Sequence, residues 1–220
     1  MRIILTGATG FVGGEALTQL LANEHIDGVT CISRRPVAID HPKLTTMIHP
    51  DFTVWPAGQM KALAMHDATI WTLGAKASDI SDPVEYEKVT VKSTLAFASS
   101  ICDSVGHIFQ FCYLSGMGAD PEETSTFPWQ RTTRHMKGRA ERGLADLAKL
   151  DGNFRASSFR PGGILPNTTS WWLSSILSPI AIRVDLLCRA MIAEAIREDP
   201  PAYQVLSNRA IRAEAERSSP

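Results

Sequence analysis

Arg2-Ile3-Ile4-Leu5-Thr6-Gly7-Ala8-Thr9-Gly10-Phe11-Val12-Gly13 decides the fold: an apolar, strand-like run leads straight into three glycines spaced three apart, and helical spacing of apolar residues follows. At such a junction Gly7 permits the tight turn, Gly10 lets backbone amides approach a pyrophosphate, and Gly13 allows the first helix to pack close to the sheet. The helix amino terminus adds partial positive charge. The stretch reads as a dinucleotide cradle, with Thr9, Phe11 and Val12 completing the loop.

Outward from the cradle, strand-like runs near Arg2 to Thr6, Gly28 to Ser33, Leu44 to His49, Ala68 to Leu73, His107 to Ser115 and Phe154 to Phe159 alternate with helical patterns. The helical patterns are Gly13 to Asn23, Tyr86 to Ser104 and His135 to Leu150, followed by a helical tail, Val184 to Arg197, and a charged end, Ile211 to Arg217. Parallel neighbours need long crossovers, so this alternation predicts an α/β class: a doubly wound, mainly parallel, Rossmann-like sheet with helices on both faces. The 220 residues read as a single domain, 1–220. Loop-rich stretches interrupt the pattern at Gly116 to Trp129 and Pro161 to Pro179, and the substrate-pocket elements are expected at 116–134 and 161–187.

Composition narrows the partners. Lys and Arg number 22 against 23 acidic residues, so no global field attracts a polyanion and nucleic acid is not expected. Cys31, Cys102, Cys112 and Cys188 are widely spaced without a CxxC and read as reduced core residues of an intracellular compartment. The six histidines are scattered singly, and no metal site is expected. The chain runs from Met1 and Arg2 straight into a strand, and Trp171 to Ile182 is broken by serines and a proline, so neither a leader nor a spanning helix is expected. A cytoplasmic location follows, with peripheral contact to an organelle or membrane surface and homo-oligomerisation left open. For Trp171, Trp172, Leu173, Ile176 and Leu177 an apolar lid, a subunit contact and a lipid contact all stay open. Arg131, Arg134, Arg139 and Arg142 read as a solvated basic face or as a second anion-recognising surface.

Ribose selectivity is read at the end of the second strand, where a carboxylate would accept bonds from a free 2′-hydroxyl. Ser33-Arg34-Arg35 stands there instead. Two guanidinium groups suit a 2′-phosphate, which predicts NADP(H) as the cofactor.

The chain resembles the atypical short-chain dehydrogenase/reductase family, and more closely its subgroup around the Tat-interacting oxidoreductase and fungal mitochondrial-surface relatives. The likeness rests on Thr6 to Gly13, Asp51-Phe52, Thr72-Leu73-Gly74-Ala75, Leu114-Ser115-Gly116-Met117-Gly118-Ala119-Asp120, Lys137-Gly138 and Phe159-Arg160-Pro161-Gly162. It extends into the tail from Cys188 to Ile211. By that resemblance Asp51, beside Phe52, would accept the adenine amino group, Leu73 and Gly74 would line the adenine ribose, and Pro161-Gly162 would pass near the nicotinamide. Ser115 would polarise a substrate carbonyl. Asp51 as a plain strand-end cap, and Ser115 as a turn residue, remain open beside these roles.

Family chemistry also implies a tyrosine four residues before a lysine, on one helix face, where the ammonium depresses the phenol pKa. Lys137 is present, but Thr133 occupies the tyrosine position, and Tyr86, Tyr113 and Tyr203 stand four before no lysine. His135 is two residues from Lys137, about 200° around a helix, and reads as a solvated or packing residue. Lys137 would still hold the nicotinamide ribose. Three functions stay open: an oxidoreductase on a small carbonyl or alcohol substrate, using Ser115, Thr133 and Lys137; a non-redox isomerase, dehydratase or cyclase; and a catalytically silent NADP(H)-sensing module.

Overall fold

The computed structural model describes residues 1–74, 82–125 and 130–218, with the side chain of Trp171 outside the description. Ala75 and the 126–129 part of the expected pocket loop therefore lie outside the described residues.

Seven strands form one parallel sheet, built from β1 (Arg2–Thr6), β2 (Gly28–Ser33), β3 (Leu44–Ile48), β4 (Ala68–Trp71), β5 (Phe109–Leu114), β6 (Phe154–Arg160) and β9 (Tyr203–Ser207). Their order is β3-β2-β1-β4-β5-β6-β9, so the winding reverses between β1 and β4. In a doubly wound sheet that reversal opens a crevice at the carboxyl ends of the two strands. A second, two-stranded parallel sheet pairs β7 (Gly163–Leu165) with β8 (Ala181–Arg183).

Both faces of the sheet are covered, which is why its strands read as unbroken apolar runs. Ile3 and Leu5 face α1 (Phe11–Ala22), α7 (Val184–Ala195) and α8 (Asn208–Arg217) through Leu17, Leu187 and Ile211. Ile4, pointing the other way, joins Trp71, Phe97, Phe111 and Leu144 beneath α2 (Ala57–Leu63), α4 (Ser93–Cys102) and α5 (Arg131–Leu150). The run expected as one helix from Tyr86 comprises α3 (Pro83–Glu87), a π-helical segment (Lys88–Lys92) and α4. In the π segment the Ser93 hydroxyl donates to the Lys88 carbonyl at 2.9 Å. All four cysteines are free and buried, and burial pushes the Cys31 thiol up to about 12. Among the described residues no helix is long and apolar enough to cross a membrane.

Two expectations need correction. The loop-rich stretch Pro161 to Pro179 is not loop throughout: it contains β7 and α6 (Trp171–Ile176), while α7 starts at Val184, where the helical tail is expected, with Val184 and Leu187 in the core. β9 was not expected at all. It is an edge strand with one of its five residues buried, so it lacks the apolar density that marks the others.

Candidate active site

The glycine loop has the geometry its spacing implies. Gly7 adopts φ +73°, and a Cβ there would fall 2.5 Å from Thr72 Oγ1. A Cβ on Gly13 would fall 2.1 Å from the Gly7 carbonyl oxygen, so helix and loop touch backbone to backbone. Across the crevice the Thr72 hydroxyl donates to the Thr6 carbonyl at 2.6 Å, and the Leu73 amide donates to Thr6 Oγ1 at 3.1 Å. β1 and β4 are thereby held in register beneath the loop.

A pyrophosphate fits this loop. α1 begins at Gly10 with no capping side chain and no acidic residue in its first turn, leaving its leading amides to an external anion. A Cβ on Gly10 would meet only the Gly7 carbonyl oxygen, at 3.2 Å. Thr9, Gly10 and Phe11 are exposed, while Val12 anchors the helix in the core.

Beside the loop, Arg34, Asp51, Phe52 and Leu73 line a small cavity of about 80 Å³. Glu85, Lys88, Val89 and Ser93, from α3, the π segment and the start of α4, close it. The sequence reading missed these four. They recur at helical spacing, but nothing local signals that a π turn brings them to the end of β3. Asp51 serves its turn: Oδ1 accepts from the Thr53 amide at 2.9 Å and the Thr53 hydroxyl at 2.6 Å, and these bonds hold its carboxyl below the usual range. The strand-end cap is therefore real, and the carboxylate borders the cavity as well. Arg35 is exposed at the same turn as Arg34, and its carbonyl accepts from the Ser33 hydroxyl.

At the far end of the crevice Lys137 projects from the buried face of α5. Its Nζ donates to the Leu114 carbonyl at 2.7 Å, lies 5.0 Å from the centre of the Tyr113 ring, and stands 3.4 Å from where a Gly74 Cβ would be. Burial pushes its ammonium down to about 8, against the opposing pull of the Glu141 carboxylate one turn along. Ser115, the next residue after Leu114, and Thr133, one turn before Lys137, have buried hydroxyl oxygens with no hydrogen-bond partner among the described residues. Tyr113 cannot replace the missing phenol, because it is fully buried and burial holds its hydroxyl well above the ordinary value.

The lysine carries a prediction of its own. Its folded pKa of about 8 lies below the ordinary 10.5, so between those values the unfolded chain binds more protons and stability rises with pH. The contribution is complete above 10.5 and is lost as pH falls to about 8. Relative to Lys137→Met, the wild type should gain roughly 3 kcal/mol across that window. Urea midpoints of both proteins at several pH values check this, and parallel curves would contradict it.

Among the arginines of α5, Arg131 and Arg142 are exposed and Arg134 and Arg139 half-buried, and three of the four meet the loop after β5. Arg134 Nε donates to the Gly118 carbonyl at 2.7 Å, Arg142 Nη1 to the Pro121 carbonyl at 2.7 Å, and Arg139 Nε to Glu123 at 2.6 Å. They fasten the loop after β5 to the helix. Gly138 allows that approach, since a Cβ there would fall 2.1 Å from Asp120 backbone atoms. His135 lies between Asp120 and Glu123, at 3.6 and 3.7 Å, consistent with a packing role.

Two further interactions had no local signal. Glu141, fully buried on α5, receives the Arg160 guanidinium, whose Nε lies 2.9 Å from Oε1. Asn208 accepts the Gly162 amide at 3.0 Å and donates to the Ser178 carbonyl at 2.8 Å, fixing Pro161-Gly162 behind the crevice. A recess of about 1150 Å³ lies elsewhere, against α1, α7 and α8, and none of the cradle glycines lines it.

Comparison with known proteins gives a consistent picture. The family model described as the NAD dependent epimerase/dehydratase family matches residues 3–161. Part of the hybrid PKS-NRPS synthetase poxE of Penicillium oxalicum is 35% identical over 134 residues, covering 58% of this chain and 3% of that protein. The mitochondrial protein fmp52 of Emericella nidulans is 29% identical over 165 residues, covering 73% of this chain and 66% of the relative. The matches thus span less than two thirds of these relatives' own lengths. Among solved structures, the Bordetella bronchiseptica enzyme WbmF in complex with NAD+ superposes with a TM-score of 0.71 at 15% identity, covering 99% of this chain and 77% of that one. At that identity the likeness speaks for the fold.

Proposed function

The chain belongs to the NAD-dependent epimerase/dehydratase family, and on that premise we propose that it binds NADP(H) over the carboxyl ends of β1, β2 and β4 and interconverts a small carbonyl compound with its alcohol. The observation that carries the reading is the pair of hydroxyls left unpaired among the described residues, Ser115 Oγ, next in the chain to the Leu114 that Lys137 binds, and Thr133 Oγ1, one helical turn before Lys137. A buried polar group left unpaired costs roughly 1–3 kcal/mol, which a substrate oxygen accepting from both would remove.

In this reading the open amides of the cradle hold the pyrophosphate, and Asp51, Phe52 and Leu73 receive the adenosine. The nicotinamide supplies the hydride donor or acceptor. Lys137 offers the ribose hydroxyls the ammonium protons that Leu114 does not take. Ser115 polarises the carbonyl, while Thr133 orients the oxygen without titrating, because an aliphatic hydroxyl is too weak an acid. The proton then comes from water or the substrate itself. A relative solved with NAD+ supports a nicotinamide dinucleotide, and the choice of NADP(H) rests on Arg34 and Arg35 at a strand end without a carboxylate. The mitochondrial naming of fmp52 supports association with that organelle over a freely cytoplasmic location.

Titration with NADPH and NADH tests the cofactor. Arg34→Glu is expected to weaken NADPH about 10- to 100-fold, the value of a charge-assisted phosphate contact, and to spare NADH. Equal loss of both would remove the 2′-phosphate assignment, and no heat with either nucleotide would remove the cradle. A panel of aldehydes and ketones tests the chemistry through the absorbance of the reduced nicotinamide. Conversion without an absorbance change would favour the non-redox alternative, which Thr133 in the phenol position motivates. No conversion, with a partner whose affinity follows the nucleotide, would favour the sensing module.

A further inference from the structure

The turn that leaves β6 has little of its own to hold it in place. Pro161 brings no amide hydrogen, and Gly162 has no room for a side chain, since a Cβ there would fall 2.0 Å from the Ile180 carbonyl oxygen. Its position depends on what binds its backbone. The Pro161 carbonyl accepts from the Met117 amide at 2.8 Å, and the Gly163 amide donates to the Ile180 carbonyl at 2.8 Å. Between them, the Gly162 amide donates at 3.0 Å to Oδ1 of Asn208, a side chain 46 residues further along the chain.

Asn208 is the first residue of α8 and only 6% exposed. The Ser207 hydroxyl caps that helix by accepting from the Ala210 amide at 3.3 Å, and Ile211 and Ala215 bury its next turns in the core. Asn208 Nδ2 donates to the Ser178 carbonyl at 2.8 Å and to the Ala181 carbonyl at 3.3 Å. A backbone amide only donates and carbonyls only accept, so one orientation of the carboxamide satisfies all three. The start of α8, the turn after β6 and the entry to β8 thus meet on one side chain.

The turn borders the reacting end of the crevice. Ser115, whose hydroxyl is unpaired among the described residues, donates its amide to the Phe159 carbonyl at 2.9 Å. Met117, two residues on, holds Pro161, and Arg160 reaches Glu141, one turn along α5 from Lys137. With its diphosphate on the cradle after β1, a dinucleotide lying across the carboxyl ends of the strands brings its other half to β5 and β6.

We propose that Asn208 is a positioning residue: through the Gly162 amide it fixes the turn after β6 as the wall on which the nicotinamide ring rests, without touching the nucleotide. This rests on the reading of the crevice as a nicotinamide dinucleotide site. A wall already in place spares the ligand the cost of ordering it, so the benefit falls on the nicotinamide and not on the rest of the molecule.

Calorimetry of the full chain compares NADPH with 2′-phospho-ADP-ribose, the same molecule without its nicotinamide, and NADH with ADP-ribose in parallel, which makes the comparison independent of the 2′-phosphate. Asn208→Ala should weaken both nicotinamide ligands about 10-fold, the value of one buried hydrogen bond, and leave the two ribose ligands within about twofold. Asn208→Asp keeps an oxygen for the Gly162 amide but loses the donors to Ser178 and Ala181. It should melt at a lower temperature than the wild type yet hold the nicotinamide ligands within about threefold. Should alanine prevent folding, Asn208→Ser takes its place, its hydroxyl ending one bond short of the Gly162 amide. Equal weakening of all four ligands, no weakening of any, or an Asn208→Asp protein that loses as much nicotinamide affinity as Asn208→Ala overturns the proposal. A wild type that binds none of the four brings down the nucleotide reading and the proposal with it. A wild type that binds all four, with both halves of the comparison responding alike to the substitution, brings down the proposal alone.

Discussion

Replacing Gly13 by alanine is expected to destabilise the protein by about 3 kcal/mol, the upper part of the overpacking range, and to lower the melting temperature by about 10 °C. The added Cβ would lie 2.1 Å from the Gly7 carbonyl oxygen and 2.4 Å from its carbon, and neither backbone atom can rotate away as a side chain would. Relief requires the first turn of α1 to lift from the end of β1, which also scatters the amides of the cradle. Nucleotide affinity should therefore fall together with stability. Gly14→Ala is the control: its Cβ would meet only the Ala8 carbonyl oxygen, at an ordinary 3.5 Å. In a helix interior alanine should be neutral or stabilising by about 0.5–1 kcal/mol. Thermal melts of both variants decide the matter, and equal melting temperatures would refute backbone contact as the reason for Gly13.

A comparable loss is expected from Arg160→Met. Glu141 has no solvent exposure, and the guanidinium is the group that compensates its carboxylate. Removing one partner of a buried pair costs about 3–5 kcal/mol, because the remaining charge stays desolvated. The pair as a whole stabilises far less, so the double variant Arg160→Met, Glu141→Leu should recover most of the loss. Urea denaturation of the two single variants and the double variant measures this directly. A single-variant cost below about 1 kcal/mol would show that the carboxylate finds water or a proton instead. Arg160 immediately precedes Pro161-Gly162, and Glu141 lies one turn from Lys137, so the pair also ties β6 to α5.

The cradle was legible because its physics is local. Tight turn, close helix approach and uncapped helix start are all written within Thr6 to Gly13, and no distant residue is needed to predict them. The parallel class was legible for a similar reason, since strands buried on both faces must be apolar throughout. The edge strand Tyr203–Ser207 escaped because pairing on one side asks less of its composition.

The site divides along the same line. Gly7, Gly10, Gly13, Arg34 and Lys137 could be named from motif and spacing, as could the absence of a tyrosine at position 133. Charge along a helix says nothing about which carbonyls it will meet, and Arg134, Arg139 and Arg142 meet those of the loop after β5 or its Glu123. What the amino-acid order determined by itself was the glycine cradle, the βα alternation and the loss of the phenol, each a matter of neighbours within about a turn of chain. Only the tertiary structure decided that Lys137 would sit dry against Leu114 and that Ser115 and Thr133 would be left without partners among the described residues. Burial and hydrogen-bond satisfaction depend on what distant segments bring to the same place, and spacing along the chain does not contain that information.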